Sequence, residues 1–454
     1  MSLGIEDIEK IIKDNDVEFI RLQFTDMLGH MKNVAVPKSQ LENALNNKIT
    51  FDGSSIEGFS RVEESDMYLR PDPDTFTLVP WRPKQSAVAR MICSIHDPDG
   101  NPFAGDPRYR LQASVDKAAE MGYTFNVGAE CEFFIFHNDE FGRPTTVTHD
   151  KSGYFDLEPL DLGGEVRRQI VLALEEMGFE IEASHHEVAA GQHEIDFKYS
   201  EALKAADDIM AFKFAVKSIA KKNDLFASFL PKPVEGVSGS GMHLNMSLFR
   251  DGRNIFYDPA DPKKNGLSKE AYCFIAGLMK HAKALTAVCD PLVNSYKRLI
   301  PGYEAPTDIA WSCKNRSPLI RIPAARGTGT RVEFRSPDPA ANPYLALACC
   351  LEAGLDGIRS GLTPPEEVSD NIYDLTPEQR AERGIESLPL SLEEALEELK
   401  KDELIKEVLG SHICEKFIYL KEQECAEYRR QVSQWEINRY LSLIHISEPT
   451  RLGM

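Results

Sequence analysis

The segment Val127–Phe136 constrains this chain more than any other, because it sets two carboxylates into a run of apolar residues. It is short, rich in aromatic residues and followed by polar ones, which predicts a β-strand whose alternation places Glu130 and Glu132 on one face. If that face is buried, the carboxylates lose hydration and repel each other, at a cost of several kcal/mol each. A divalent cation such as Mg²⁺ or Mn²⁺ would offset that cost, because hard cations prefer oxygen ligands. Two exposed glutamates on an edge strand are the alternative, and this segment alone leaves both open.

Composition and charge narrow the class of protein. The chain has 454 residues, enough for two or more domains with a sizeable core, and its formal net charge is −20. That charge argues against a nucleic-acid or anionic-membrane surface, since those need basic patches. The nine cysteines show no CxxC spacing, which favours reduced thiols over a disulfide framework. Because no apolar run approaches the ~20 residues of a membrane span and the amino terminus is unlike a signal peptide, we expect a soluble cytoplasmic enzyme.

The pattern of predicted elements divides the chain into two regions. Strand patterns dominate the first region, at residues 17–24, 31–36, 75–80 and 87–95, after a short amphipathic helix at 5–14. From about residue 104, strands are mixed with long helical patterns, at residues 109–121, 164–177, 202–223 and 271–287. We therefore predict an α+β fold with domains 1–103 and 104–441. Residues 442–454 form a C-terminal extension that we interpret as a vector-derived tail.

Two further segments place polar side chains on predicted strands. Residues 182–197 read as two strands joined by a short loop, which would bring Glu187 and Glu194 close together across the turn. Residues 242–249 form another strand pattern, with His243, Asn245 and Ser247 on one face. A single histidine on a strand is more often a hydrogen-bonded structural residue than a metal ligand. The preceding Gly-Ser-Gly turn is weak support for phosphate binding, because it lacks a phosphate-loop lysine.

Basic residues cluster between residues 297 and 335. That segment carries eight lysines and arginines against three acidic residues, a local balance of +5 in a chain of −20. The arginines lie among proline, glycine and apolar residues, which is unlike the solvated face of an amphipathic helix. Since arginine binds phosphate and carboxylate with two parallel hydrogen bonds, we favour an anion site over a solvated surface.

The motifs as an ordered set resemble class I glutamine synthetases of bacteria and archaea, over residues 5 to 440. The motifs that carry this resemblance are Phe51–Phe59, Gly128–Phe134, Ser184–Val188, Gly191–Glu194, Gly239–His243, Asn294–Leu299, Pro301–Pro306, Asn315–Pro318 and Arg331–Arg335. The resemblance implies a small N-terminal β-grasp-like domain and a large catalytic domain. The catalytic domain is expected to hold a curved antiparallel sheet, forming a partial barrel, with helices around it.

The resemblance also implies roles for individual residues. The expected ligands of two divalent ions, Mg²⁺ or Mn²⁺, are Glu132, Glu187 and Glu194 for one and Glu130, His243 and Glu333 for the other. The expected ATP contacts are Asn245, Ser247, Arg316, Arg321 and Arg331. The expected contacts to L-glutamate are Glu132, Gly239, Arg298, Glu304 and Arg335.

The implied reaction joins ammonia to L-glutamate through γ-glutamyl phosphate. Asp52, with Ser55 nearby, would take a proton from ammonium and would come from a neighbouring subunit. Glu304 would close over the site, and Arg316 would assist phosphate transfer. On its own residues, however, the loop around Asp52 predicts only an ordinary turn. A shared site implies a homo-oligomer, in this family a dodecamer of two stacked hexamers, with nitrogen-regulatory proteins as possible partners.

The chain departs from the family pattern at several positions. Ser238 stands where the family usually has asparagine, which bears on amino-acid specificity. Tyr373 matches a residue that one branch adenylylates, but the insertion of that branch is missing, so we expect no such modification. Arg61 resembles the branch that glutamine inhibits by feedback, which makes Arg61 a candidate regulatory residue.

The sequence leaves three alternative functions to be considered. A sibling ligase would join glutamate to another amine such as a polyamine, although Asp52 and Ser55 favour ammonia. A non-catalytic structural or regulatory relative would not need all six candidate metal ligands. A metallohydrolase would leave the arginine cluster unexplained.

Overall fold

The computed structural model describes residues 3–56, 58, 66–370 and 372–441, without the side chains of residues 55, 373 and 377. Arg61, Tyr373 as a side chain, and the extension 442–454 therefore lie outside the described part of the chain. Each helix within those ranges is too short or too polar to cross a lipid bilayer.

The first region is a five-stranded sheet with two short helices. Its elements are α1 (Ile5–Asp14), β1 (Val17–Thr25), β2 (Met31–Pro37), α2 (Leu41–Leu45), β3 (Ile49–Asp52), β4 (Asp66–Leu78) and β5 (Ala87–His96). The strand order is β2-β1-β5-β4-β3, with β1 and β5 parallel and the other pairs antiparallel. Ile8 and Ile12 lie four residues apart on α1 and are buried on the sheet. This sheet has its own hydrophobic core, separate from that of the remainder.

The second region begins with a helix and continues as alternating strands and helices. Its first elements are α3 (Pro107–Glu120), β6 (Thr124–Cys131), β7 (Phe133–Asn138), β8 (Pro144–Thr148), α4 (Gly164–Glu176), β9 (Ile181–His186), β10 (Gln192–Phe197), β11 (Ser200–Glu201), α5 (Ala202–Lys222), β12 (Leu225–Ser228), β13 (Met242–Arg250) and β14 (Arg253–Asn254). Its later elements are α6 (Lys269–Cys289), β15 (Asp308–Ile309), β16 (Trp311–Ser312), β17 (Ile320–Arg321), β18 (Val332–Phe334), α7 (Pro343–Arg359), α8 (Pro377–Glu382), β19 (Glu386–Ser387), α9 (Leu392–Lys401), α10 (Glu403–Arg429) and α11 (Gln434–Tyr440).

These strands form two larger sheets that meet at one residue. One sheet has the order β12-β7-β10-β9, with β8 beside β7, and the other has the order β11-β6-β13-β18-β17-β16, with β14 beside β13. β15 and β19 form a separate two-stranded sheet. The predicted single strand Val127–Phe136 is therefore wrong, because Glu132 separates β6 from β7. The reason is long-range pairing: Glu130 lies opposite His243 of β13, whereas Phe133 lies opposite His193 of β10.

Buried helices support these sheets. α6 and α7 approach closely where Gly277 faces Gly357, since a Cβ added to Gly277 would lie 2.1 Å from the carbonyl oxygen of Ala353. α5 and α7 are buried along most of their length, so the sheets rest on an apolar helical layer. The α+β fold class predicted from the sequence is confirmed, and the helices expected at 164–177 and 202–223 end within one residue of α4 and α5.

Candidate active site

The seven-stranded sheet brings together three side chains that could hold a metal ion. Glu130 on β6 lies directly opposite His243 on β13, and Glu333 lies on the next strand, β18, opposite Asn245. One donor atom from each of Glu130, His243 and Glu333 lies within 4.8 Å of the other two. His243 Nδ1 is 3.1 Å from Glu130 Oε2 and 3.9 Å from Glu333 Oε1. The strand registers therefore place on one sheet face residues that are far apart in the chain.

The protonation of this group suits a cation. Burial alone would raise the pKa of Glu130, but hydrogen bonds from His243 and from Asn245 Nδ2, at 2.9 Å, outweigh it and lower the pKa to about 2. Burial and the neighbouring Arg335 lower the pKa of His243. Glu333 is fully buried and pairs with Arg321 at 2.7 Å and Arg335 at 2.5 Å. An ionised carboxylate beside a neutral imidazole is the form in which both bind metal.

The hairpin of β9 and β10 holds a second group. His193 and Glu194 pair with His186 and His185, and Glu187 follows β9 directly. One donor atom from each of His185, Glu187 and Glu194 lies within 4.8 Å of the others, so the predicted proximity of the two glutamates is confirmed. Burial, and then the nearby Asp196, raises the pKa of Glu194 well above its ordinary value. Such a buried acidic pair is stabilised when a cation binds beside it.

Glu132 occupies the junction between the two sheets. Its Oε2 accepts hydrogen bonds from Gln192 Nε2 at 2.8 Å and from the backbone N–H of Gly241 at 2.9 Å. Burial, and then repulsion from Glu187, raises the pKa of Glu132 to about 8. Within the described residues, His185 supplies the third donor atom of the group that contains Glu187 and Glu194. Glu132 instead lines an adjoining cavity, together with Glu187.

That adjoining cavity, of about 40 Å³, has acidic and basic walls. Its basic lining residues are Arg298 and Arg335, and Gly239 and Glu304 line it as well. Arg298 donates to the backbone carbonyls of Ser336, at 2.5 Å, and Arg335, at 3.1 Å. The Nε of Arg335 is buried and makes no hydrogen bond to a described residue. A buried guanidinium with a spare donor fits an anionic substrate group.

A larger cavity of about 380 Å³ lies on the other side of the first donor group. Asn245, Ser247 and Arg331, three of the predicted nucleotide contacts, line it together with Glu130. Arg331 Nε donates to Asn245 Oδ1 at 2.9 Å. Its volume lies within the 300–1,000 Å³ that is usual for small-molecule pockets.

The other two arginines among the predicted ATP contacts, Arg321 and Arg316, differ in exposure to solvent. Arg321 is half-buried and is held by Glu333. Arg316 is exposed, and its side chain hydrogen-bonds the hydroxyl of Tyr154. Arg316 is thus the less constrained of the two.

Glu304 lies on a strained, exposed loop. Its φ is +60°, in the left-handed region that non-glycine residues rarely adopt, and Gly302 before it has φ +92°. Arg335 Nη2 lies 3.5 Å from the Glu304 carbonyl oxygen. Such strain persists only where neighbouring contacts hold the residue, and it clusters at functional sites.

Asp52 is not brought to these cavities within the chain. It ends β3 on the N-terminal sheet, is exposed, and accepts hydrogen bonds from the Ser54 backbone at 2.9 Å and hydroxyl at 2.6 Å. These hydrogen bonds lower the pKa of Asp52, so its carboxylate is ionised at neutral pH. The side chain of Ser55 and the whole of Arg61 lie outside the described residues.

Sequence reasoning missed several residues of the site. His185 was not considered as a metal-binding residue, although its neighbours were, and Gln192 gave no signal for its contact with Glu132. A third, fully buried group consists of Asp150, His186 and His193. Here His186 lies between Asp150 Oδ1, at 2.9 Å, and the Glu187 carbonyl, at 2.6 Å, while Arg167 lies 2.9 Å from His193. Because a guanidinium already occupies this group, we interpret it as a hydrogen-bond network that supports the hairpin.

A cavity of about 730 Å³, larger than the two described above, contains none of these groups in its lining. Its charged lining consists of lysines, glutamates and Arg429, mostly of α9 and α10, and includes ion pairs such as Lys400 with Glu422 at 2.7 Å. It contains none of the predicted site residues, so its size does not indicate the site of chemistry.

Comparison with known proteins assigns the family. A family model described as the catalytic domain of glutamine synthetase matches residues 104–440, and one described as its β-grasp domain matches residues 16–98. A glutamine synthetase of Clostridium saccharobutylicum is 60% identical over 437 residues, covering 96% of this chain and 98% of the relative. One from Methanosarcina mazei is 55% identical over 439 residues, covering 97% and 98%.

Solved structures agree with the sequence matches. A GmaS–ADP complex superposes with a TM-score of 0.87 at 33% identity, covering 96% of this chain and 99% of the other. A Plasmodium falciparum glutamine synthetase superposes with a TM-score of 0.86 at 28% identity, covering 97% and 99%. Both the sequence and the three-dimensional arrangement thus match along nearly the whole length, and this chain belongs to the glutamine synthetase family.

Proposed function

We propose that this chain catalyses the ATP-dependent ligation of ammonia to L-glutamate, giving L-glutamine, ADP and phosphate. The observation that carries the proposal is the convergence of two donor groups, from two different sheets, on an arginine-lined cavity. Relatives that cover almost the whole chain are named glutamine synthetase, which favours ammonia over another amine as the nitrogen donor.

Two divalent cations fit the donor groups. Glu130, His243 and Glu333 would hold one of them, and Glu132, Glu187 and Glu194 the other, with His185 beside it. The carboxylate-rich donor sets suit Mg²⁺ or Mn²⁺. When bound, such ions neutralise negative charge on the phosphate oxygens.

The 380 Å³ cavity is the proposed nucleotide site. Asn245 and Ser247 are strand residues whose side chains line it, and Arg331 is tied to Asn245 at its edge. Arg321 and Arg316 would bind phosphate oxygens, Arg321 from its position beside the first donor group. The ADP complex of the structural relative GmaS supports a nucleotide in this fold.

The small cavity is the proposed glutamate site. Arg298 and Arg335 would bind substrate carboxylate oxygens, while Glu132 would face the α-amino group. At Gly239 only glycine fits, because an added Cβ would lie 2.2 Å from the Pro231 carbonyl oxygen, so the backbone itself forms this wall. Ser238 lines the same cavity and is the residue through which specificity could differ from the family pattern.

The reaction follows from this arrangement in two steps. The substrate side-chain carboxylate attacks the γ-phosphorus of ATP, the bond to ADP breaks, and γ-glutamyl phosphate forms. Ammonia then attacks the acyl carbon, and phosphate leaves with the C–O bonding electrons. Glu304 would cover the cavity so that water does not attack the same carbon.

Asp52 is the proposed acceptor of the ammonium proton, with Ser55 beside it. Its exposure and its place on the N-terminal sheet suit donation into the site of a neighbouring copy. The proposal therefore includes a homo-oligomer, a dodecamer of two stacked hexamers, in which domain 1–103 serves the domain 104–441 of a neighbour. Residues 442–454 have no role in it.

Three further points extend the proposal beyond the chemistry. The enzyme would work in the cytoplasm. Arg61 would take part in feedback inhibition by glutamine, and comparison of that inhibition in wild type and Arg61→Ala tests the role. Nitrogen-regulatory proteins would be its partners.

An assay for glutamine, phosphate and ADP from glutamate, ATP and ammonium tests the main proposal. We expect equal amounts of the three products, loss of turnover with a chelator, and recovery with Mg²⁺ or Mn²⁺. Replacing ammonium with polyamines distinguishes the sibling ligase, which would release more phosphate with the polyamine. Metal-independent turnover, or turnover without ATP, would refute the proposal.

A further inference from the structure

Lys232 lies beneath the wall of the proposed glutamate cavity. It is 8% exposed, and its backbone is fixed by Asn294, whose Oδ1 accepts from the Lys232 N–H at 2.8 Å and whose Nδ2 donates to the carbonyl at 3.0 Å. Its Cδ lies 3.3 Å from the position that a Cβ on Gly239 would take. The lysine stem is therefore packed against the glycine that forms the cavity wall.

The ammonium of Lys232 reaches an aromatic ring on the opposite loop. Its Nζ lies 3.9 Å from the ring centroid of Tyr303 and donates to the Val237 carbonyl. Among the described residues, no carboxylate lies within ion-pair distance of this ammonium. A buried charge must be compensated by hydrogen bonds or paired charge, and here the ring face contributes part of that compensation.

Tyr303 belongs to the loop that carries Glu304. Gly302 and Glu304, on either side of it, both have positive φ, and Glu304 is exposed. The hydrogen bond from Arg335 to the Glu304 carbonyl is long, at 3.5 Å. The ring contact with Lys232 is thus, beside the weak hydrogen bond from Arg335, a contact that holds this strained loop over the cavity.

We infer that Lys232 is a positioning residue, which holds Tyr303 and thereby keeps the Glu304 loop closed over the glutamate cavity. The inference rests on the proposed function, because it concerns the acyl phosphate formed there. When the loop opens, water attacks the acyl carbon, the C–O bond to phosphate breaks, and glutamate and phosphate are released. Each such cycle converts one ATP into ADP and phosphate and forms no glutamine.

Lys232→Met tests this role, since methionine keeps much of the stem and removes the charge. Loss of a desolvated cation–π contact should raise the fraction of molecules in which the Glu304 loop is open by roughly fivefold to thirtyfold. We expect chymotrypsin to cleave after Tyr303 faster by that factor in the ligand-free variant, because cleavage follows the population of the open loop. We also expect phosphate release to exceed glutamine formation, whereas in wild type the two are equal.

Two further variants keep the test decisive. Lys263→Met is the control, because Lys263 lies over the ring of Tyr272, at 5.5 Å, and lines neither proposed substrate cavity. Chymotrypsin should cleave this variant at the wild-type rate, and its phosphate release should equal its glutamine formation. Tyr303→Leu removes the ring from the exposed loop and should uncouple phosphate release in the same way, so it decides the question if Lys232→Met does not fold.

Each outcome is informative. The inference would be overturned if phosphate release equalled glutamine formation in both Lys232→Met and Tyr303→Leu. It would also be overturned if chymotrypsin cleaved Lys232→Met faster while the ratio of phosphate to glutamine stayed as in wild type. If wild type itself forms no glutamine, the proposed function fails, while the cleavage rates still decide whether Lys232 holds the loop. Excess phosphate release in Lys263→Met would also overturn the inference, since the effect would then not be specific to Lys232.

Discussion

Replacing Glu132 with glutamine should stabilise the metal-free protein while reducing its activity. The carboxylate is buried and repelled by Glu187, which raises its pKa to about 8. Both hydrogen bonds that Glu132 accepts, from Gln192 and Gly241, end on the same oxygen, Oε2. The glutamine carbonyl can keep both of them, and its amide group then takes the place of Oε1 without a charge.

The size of the effect follows from proton linkage. An acid whose pKa is raised on folding destabilises the folded state as pH rises from its ordinary pKa, here 4.5, to the raised value. Each pH unit in that window costs about 1.4 kcal/mol, so wild type loses roughly 3 kcal/mol of stability by pH 7. Glu132→Gln has no such loss. Its advantage should therefore grow between pH 4.5 and 8 and then level off.

Urea denaturation in EDTA, measured from pH 5 to 9, provides the assay. Glu120→Gln, a substitution of an exposed glutamate at the end of α3, is the control and should follow wild type. Added Mg²⁺ should stabilise wild type more than Glu132→Gln, because it binds the native site, and glutamine formation by the variant should fall. The reasoning is refuted if Glu132→Gln is less stable than wild type in EDTA at pH 7, or if the difference does not change with pH.

Three other substitutions test separate parts of the site and the fold. Asp52→Ala should abolish glutamine formation but spare ATP and glutamate binding, measured by calorimetry; wild-type turnover would contradict its role as proton acceptor. Arg331→Met should raise the KM for ATP roughly tenfold or more, with a smaller effect on the KM for glutamate, because a charged donor is lost from the 380 Å³ cavity. Burial opposes protonation of His281, but hydrogen bonds with Asp402 and Asp356 raise its pKa above 6.5, so it stabilises the fold below pH 6.5 and loses this effect as pH rises through the raised value. His281→Gln should remove that part of the pH dependence of urea denaturation, and an unchanged profile would exclude the contribution.

Features set by local pattern could be predicted from the sequence. The helices follow from apolar residues at helical spacing, and α1 has the predicted bounds, Ile5–Asp14. The proximity of Glu187 and Glu194 follows from a short turn between two alternating strands, and the donor group on the hairpin confirms it. In both cases the partners are close in sequence, so few alternatives compete.

Features set by distant partners could not be predicted in this way. The break at Glu132 depends on distant partners, since Glu130 pairs with His243, about a hundred residues away, whereas Phe133 pairs with His193 in the other sheet. Nothing in the alternation of apolar residues shows where a chain passes from one sheet to another. Strand alternation could have placed His185 on the same face as Glu187, two residues later, but its position opposite Glu194 depends on the register of β9 with β10. In the proposed function, Asp52 acts in the site of a neighbouring copy, so no pattern within one chain predicts that contact.

The change of sheet at Glu132 makes the site modular for protein engineering. Glu130, His243 and Glu333 depend on the register of one sheet, whereas His185, Glu187 and Glu194 depend on a hairpin of the other. In the proposed function, the ligands of one ion could therefore be exchanged to alter metal preference without shifting the strands that would hold the other. Inserting a residue between Glu130 and Phe133 would have the opposite effect, because it would slip the register and displace both ion sites at once.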